Sequence, residues 1–210
     1  EILTHIGHSE KVFIMKRLLL ILILMFSFQS WAKTDDLRDF QIEGMSVGDS
    51  LLDYMTKKQI DNSKRNYFTD KRKYYVVYKQ SSLNTYEIVD IYLKNNDKNY
   101  EIKSIVGKLK VKNKNQFFLK KKEIIKQLDQ IFSNSEKQTY DDVPHTYDKT
   151  GKSREYQTGY LLGKDHMDDH VSITCSFFSK KIKKENGWSD TLNVSATSAE
   201  IQSWIADGYN

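Results

Sequence analysis

The sequence predicts an α+β domain: an antiparallel sheet of about six strands in βββα-βββα order, with an N-terminal helix and helices packed on one face. Three observations carry this. Val171, Ile173, Cys175 and Phe177 alternate with Ser172, Thr174 and Ser176, the period of a half-buried strand. Leu192, Val194 and Ala196 alternate with Thr191, Asn193 and Ser195 in the same way. Phe117, Ile124, Ile125, Leu128, Ile131 and Phe132 recur instead at helical spacing.

From the N-terminal side, Lys33–Asp39 is a polar lead-in and Gln41–Gly44 a short extended entry. Ser46 is placed to cap a helix whose apolar positions are Val47, Leu51, Tyr54 and Met55. A short helix or turn follows over Thr56–Asn62. Lys73–Lys79, Thr85–Leu93 and Tyr100–Lys112 read as strands, with Asn95-Asn96-Asp97 turning between the last two. Asn115 opens the main helix. Ser133–Ser153 shows no periodicity and holds the only proline, Pro144, so it reads as a long loop, of the kind that is usually functional or disordered. Tyr156–Leu162, Val171–Phe177 and Leu192–Ala196 form the second strand set. Thr197-Ser198-Ala199-Glu200 has the capping-box pattern, opening a helix that buries Ile201, Trp204 and Ile205. Hairpin-length links favour antiparallel pairing, and the repeated order suggests a distant duplication, although no residue-level repeat accompanies it.

The N-terminal region predicts export. Met15, Lys16 and Arg17 precede the apolar run Leu18–Phe28, and Ser30-Trp31-Ala32 supplies small residues at a cleavage site. Residues 15–32 therefore read as a signal peptide, 1–14 as an over-extended reading frame, and 33–210 as a single α+β domain. The run falls short of the roughly 20 residues that cross a bilayer. The expected location is periplasmic or secreted, with membrane contact only during export. No cysteine follows the run to carry a lipid anchor.

Composition narrows the chemistry. A mean hydropathy of -0.65 excludes a polytopic helical membrane protein, and 12% aromatic residues argue against disorder. Cys175 is the only cysteine, which excludes a disulfide framework and a multi-cysteine zinc site. Residues 33–210 keep 30 of the 33 Lys/Arg and 26 of the 28 Asp/Glu, about +4. That bias is too mild to indicate nucleic acid as a partner. Export argues against ATP, NAD or GTP, and no cofactor is assigned.

The run Ile42–Leu52, the Asp148–Ser153 loop and the terminal Trp204-Ile205, together with Trp31-Ala32, resemble small exported proteins of Pelagibacter-type marine bacteria. That resemblance spans the chain from Met15 and implies no activity and no catalytic residues. Gly44-Met45-Ser46-Val47-Gly48 is similar to the first helix of outer-membrane assembly lipoproteins of the SmpA/OmlA type, a local match in a chain without their anchor cysteine.

His166, Asp168 and His170 form the one candidate metal cluster. On a strand they would share a face, and imidazole with carboxylate suits zinc or manganese. A polar hairpin turn would use the same residues, and His145 could complete a site only if two loops meet. Thr150-Gly151-Lys152-Ser153 ends like a phosphate-binding loop, but Thr146 stands where its first glycine belongs. Cys175 lies on the apolar face of its strand, as an inert core thiol would. No Gly-x-Ser-x-Gly elbow is present. Asp35-Asp36 and Asp141-Asp142 sit in polar segments that support acid-base chemistry poorly. Lys108, Lys110, Lys112, Lys121 and Lys183 form a candidate patch for an anionic envelope component or a protein partner, or simply a solvated face. The leading expectation is a non-enzymatic envelope protein that binds or supports another macromolecule. The alternative is a small metal-dependent hydrolase using His166, Asp168 and His170.

Overall fold

In the computed structural model, which describes residues 35–65, 73–110, 113–165 and 167–207, one antiparallel sheet organises the chain. Its strands are β1 (Lys64–Arg65), β2 (Tyr74–Lys79), β3 (Ile88–Lys94), β4 (Ile102–Lys110), β5 (Glu136–Pro144), β6 (Arg154–Leu161), β7 (His170–Phe177) and β8 (Thr191–Thr197). They lie in the order β1-β2-β3-β4-β8-β7-β6-β5. Two four-strand meanders thus meet where β4 pairs with β8. Four α-helices accompany them among the described residues: α1 (Lys57–Ser63), α2 (Lys114–Ile131), α3 (Lys180–Asn186) and α4 (Ala199–Ala206). Residues 1–32, which include the expected leader, lie outside the described residues. Among the described residues no helix is long and apolar enough to cross a membrane.

Residues paired across an antiparallel ladder share a face, so the register sorts every strand side chain. Val89, Gly107, Val194, Ile173 and Thr158 form one row of a face that also carries Ile91, Ile105, Ala196, Val171 and Cys175. This face is the main core. α2 covers it with Phe117 and Leu128, Phe132 adds to it just past the helix, and the segment before α1 adds Leu37, Ile42, Met45 and Leu51. Cys175 is fully buried there, and its thiol donates to the Thr191 carbonyl at 3.0 Å. Burial pushes that thiol far above its usual pKa, so it is neutral and unreactive.

Several expectations need correction. The helices do not share one face: α4 packs Ile201 and Trp204 on Tyr74 and Tyr92, which point away from the main core. The sheet has eight strands rather than six because the two-residue β1 adds one edge and β5, which runs through the segment read as a loop, adds the other. The residues of β5 are exposed or only partly buried along its length, as on an edge strand, so no apolar alternation marks it. Pro144 ends it, where an edge tolerates a missing donor. The helix expected after Ser46 is replaced by a single 3-10 turn, Leu51–Asp53. Gly48 adopts a positive φ of 93°, and its N–H and that of Leu51 go to Ile102 and Tyr100. These backbone groups are spent on the chain beside β4 instead of on a helix.

Residues 180–186 form α3, capped by Ser179. The helix α2 starts one residue earlier than Asn115, capped by Asn113. In α4 the Thr197–Glu200 box does not form, because Thr197 still belongs to β8. Asp169, from the loop before β7, accepts instead from the Ala199 N–H at 2.7 Å. Ile205 is 40% exposed rather than buried.

Candidate functional site

The β5–β6 connection is a built turn, not slack chain. The Asp148 carboxylate accepts from the backbone N–H and hydroxyl of Thr150 at 3.0 and 2.6 Å. Its other oxygen accepts from the N–H and hydroxyl of Ser153 at 2.9 and 2.6 Å. These four donors, the Ser153 and Thr150 hydroxyls foremost, hold the carboxyl well below the ordinary carboxylate range. Gly151 takes the left-handed φ of 68° that the reversal requires. The P-loop-like run Thr150–Ser153 is thus a turn closed on Asp148.

The same turn is fastened to α3. The Ser179 N–H donates to the Ser153 hydroxyl at 2.9 Å, and Ser179 in turn caps α3. The helix stops at Gly187, whose left-handed φ of 68° releases the chain into Trp188. Asp190 then closes the segment, accepting from the Phe178 N–H at 2.8 Å and pairing with Lys183 at 2.7 Å.

Four rings converge on this corner. His145 and Trp188 both lie 5.0 Å from Phe178, centroid to centroid, and Tyr147 lies 5.7 Å from His145 and 5.9 Å from Trp188. Tyr147 and Trp188 meet at 89°, and they are 65% and 37% exposed. His145 Nδ1 accepts from the Tyr147 N–H at 3.2 Å, which leaves Nε2 facing Glu155 at 3.5 Å. The spacing decides what this cluster can do. The four rings pack against one another, centroid to centroid at 5.0 to 6.0 Å, so the cluster closes on itself. It is a platform, with its inner rings packed and two amphipathic rings open to solvent.

The residues singled out in the sequence are dispersed. Asp168 Oδ2 accepts from the N–H groups of Lys164 and Asp165 at 2.8 and 3.0 Å, and Asp169 caps α4. His170 opens β7 between Leu161 and Thr197, and its buried Nδ1 has no hydrogen-bond partner. His166 and Lys112 lie outside the described residues. His145 lies against Phe178, beyond the far end of β7 from His170. Seven strand steps, about 23 Å, separate those ends, so the two loops do not meet. Among the described residues no three His, Cys, Asp or Glu side chains are grouped to hold a metal.

The described lysines of the candidate patch do not form one free surface. Lys108 pairs with Asp90 at 2.5 Å and Lys110 with Glu87 at 3.8 Å, both on the face opposite the main core. Lys121 is 5% exposed, and burial lowers its pKa. It lies four residues after Phe117 and four before Ile125, so it shares the inward stripe of α2. Lys183 is held by Asp190. Tyr147 and Trp188 were missed by the sequence reading; the available signal was a large aromatic residue in each of two polar, lysine-bearing, glycine-containing segments.

His170 gives a pH-dependent expectation. Burial holds its imidazole below its usual pKa, outweighing the pull of Asp168 and Asp169 toward the charged form. The unfolded chain then binds more protons than the folded one as pH drops below about 6.5. Stability present above that pH is lost below it, until the folded ring itself protonates. Between about pH 7 and pH 5 the melting temperature should fall further in the wild type than in His170→Gln. Parallel slopes would show that His170 is not the responsible group.

Comparison with family models, curated proteins and solved structures finds no match for this chain.

Proposed function

We propose that this chain is a non-enzymatic binding protein of the bacterial envelope, exported through the leader at residues 15–32, and that the corner around Tyr147 and Trp188 is its binding surface. The single observation behind this reading is the exposure of those two rings on a rigid support. Tyrosine and tryptophan side chains held at the surface dominate the energetics of recognition surfaces. Asp148, Ser153, Ser179 and Asp190 fix the backbone beneath them, which keeps the ordering entropy of binding small.

Tryptophan emission tests this. Three envelope components are titrated against the protein: anionic phospholipid vesicles, peptidoglycan and an acidic polysaccharide. At least one should shift the emission, and Tyr147→Ala should weaken that response about tenfold, the scale of an aromatic contact at a recognition site. Absence of a shift with all three would overturn the reading. Intact mass of the exported species should place its first residue at Lys33.

A further inference from the structure

We infer that the corner docks on an anionic lipid membrane surface, with Tyr147 and Trp188 seated at the headgroup level and the surrounding lysines on the lipid phosphates. This rests on the binding reading above and names its partner.

Charge is the first argument. Segments 145–154 and 178–190, joined by the Ser179–Ser153 hydrogen bond and by the His145–Phe178 and Tyr147–Trp188 ring contacts, contain seven Lys/Arg and three Asp/Glu. Elsewhere the chain is close to balanced, since its whole net charge is +5. Of the three acids, Asp148 and Asp190 are turned inward onto backbone donors. Lys149, Lys152, Lys180 and Lys184 are exposed and make no ion pair among the described residues. Lys180 and Lys184 stand four apart on α3, hence on one side of it, while Ile182 points inward.

The aromatic residues are the second argument, and they favour a membrane over a soluble anionic polymer. Tyrosine and tryptophan have an apolar body and a polar tip, the combination enriched where hydrocarbon meets headgroups. A polyanion without apolar surface would engage the lysines and leave both rings in water. An anionic bilayer rewards both, with each lysine near the surface worth roughly a five-fold gain in partitioning. A mixed anchor of this kind is reversible, as neither component alone holds a protein at a bilayer.

Flotation of the full chain with phosphatidylcholine vesicles, with and without phosphatidylglycerol, tests the inference. Binding is expected only with phosphatidylglycerol, and it should be lost at roughly 0.5 M salt, where the screening length is about 4 Å. Replacing Lys149, Lys152, Lys180 and Lys184 by serine should weaken it more than a hundred-fold, and Tyr147→Ser with Trp188→Ser about tenfold. The lysine variant should keep the wild-type melting temperature; the ring variant, which removes the Trp188 contact with Phe178, should melt lower but still in one cooperative transition well above the assay temperature. Equal binding without phosphatidylglycerol, or binding indifferent to both sets of substitutions, would overturn the inference. If vesicles fail while peptidoglycan or acidic polysaccharide still shifts tryptophan emission, the membrane is the wrong partner and the binding reading stands. Silence from every component removes both.

Discussion

Valine at position 107 is expected to destabilise the domain by about 3 kcal/mol, although it is the better strand residue. Gly107 sits in β4 on the main core face, opposite Val89 and Val194. The Tyr86 ring lies directly over it: a Cβ there would stand 2.6 Å from two ring carbons. No real contact is that short, so the ring must leave, and its departure uncovers the apolar row beneath. On propensity alone, Gly107→Val would stabilise by about 0.5–1 kcal/mol. The two effects have opposite signs, and the overlap is the larger. Urea unfolding should show a lower midpoint at unchanged slope. Adding Tyr86→Ala to Gly107→Val should recover part of the loss, because the valine then fills the space the ring leaves. A neutral or stabilised Gly107→Val would mean that Tyr86 does not cover the glycine.

What could be read from the sequence was what burial writes into it. The strands with one apolar face, β7 and β8, alternate without interruption and were placed within a residue of their ends. The helix α2 was found from its stripe. The edge strand β5 left no such mark, since its residues are exposed or only partly buried and its pairing is done by the backbone. The segment after Ser46 misled for a related reason. Val47, Leu51 and Met55 are buried and spaced as on a helix, but Gly48 and the N–H groups beside it serve the chain next to β4. Apolar spacing reports which side chains are inside, not where the backbone hydrogen bonds go.

The candidate site was less legible because it is assembled from two segments 26 residues apart between Ser153 and Ser179. Neither is distinctive alone. Thr150–Ser153 ends like a phosphate-binding loop, and Lys183 reads as one of several lysines on a solvated face. Only the Asp148 hub and the ring packing show them to be one surface. The spacing of Lys121 from Phe117 and Ile125 places it on the inward stripe of α2 regardless of its charge.

Glu43 is expected to matter as much as any core residue, despite lying in a turn. Ile42 and Met45 exchange backbone hydrogen bonds at 2.9 and 3.1 Å around Glu43 and Gly44, both at positive φ, the arrangement of a two-residue type I′ turn. Glutamate is an unfavourable residue at a φ of 54°. What holds it there is its carboxylate, which accepts from the N–H groups of Asn84, Thr85 and Tyr86 at 2.7, 2.6 and 2.9 Å. A charged acceptor with three backbone donors ties the β2–β3 connection to the turn and fixes the backbone from which the Tyr86 ring reaches Gly107. Glu43→Asn separates reach from strain, because asparagine tolerates the left-handed region but is too short to span the gap. It should cost about 2–3 kcal/mol, the value of charge-assisted bonds less what water restores at the loop. The effect should also depend on Tyr86. In a double-mutant cycle, Glu43→Asn should lose less stability in a Tyr86→Ala background than in the wild type, by about 1 kcal/mol. Strict additivity would show that Glu43 holds the loop without placing the ring.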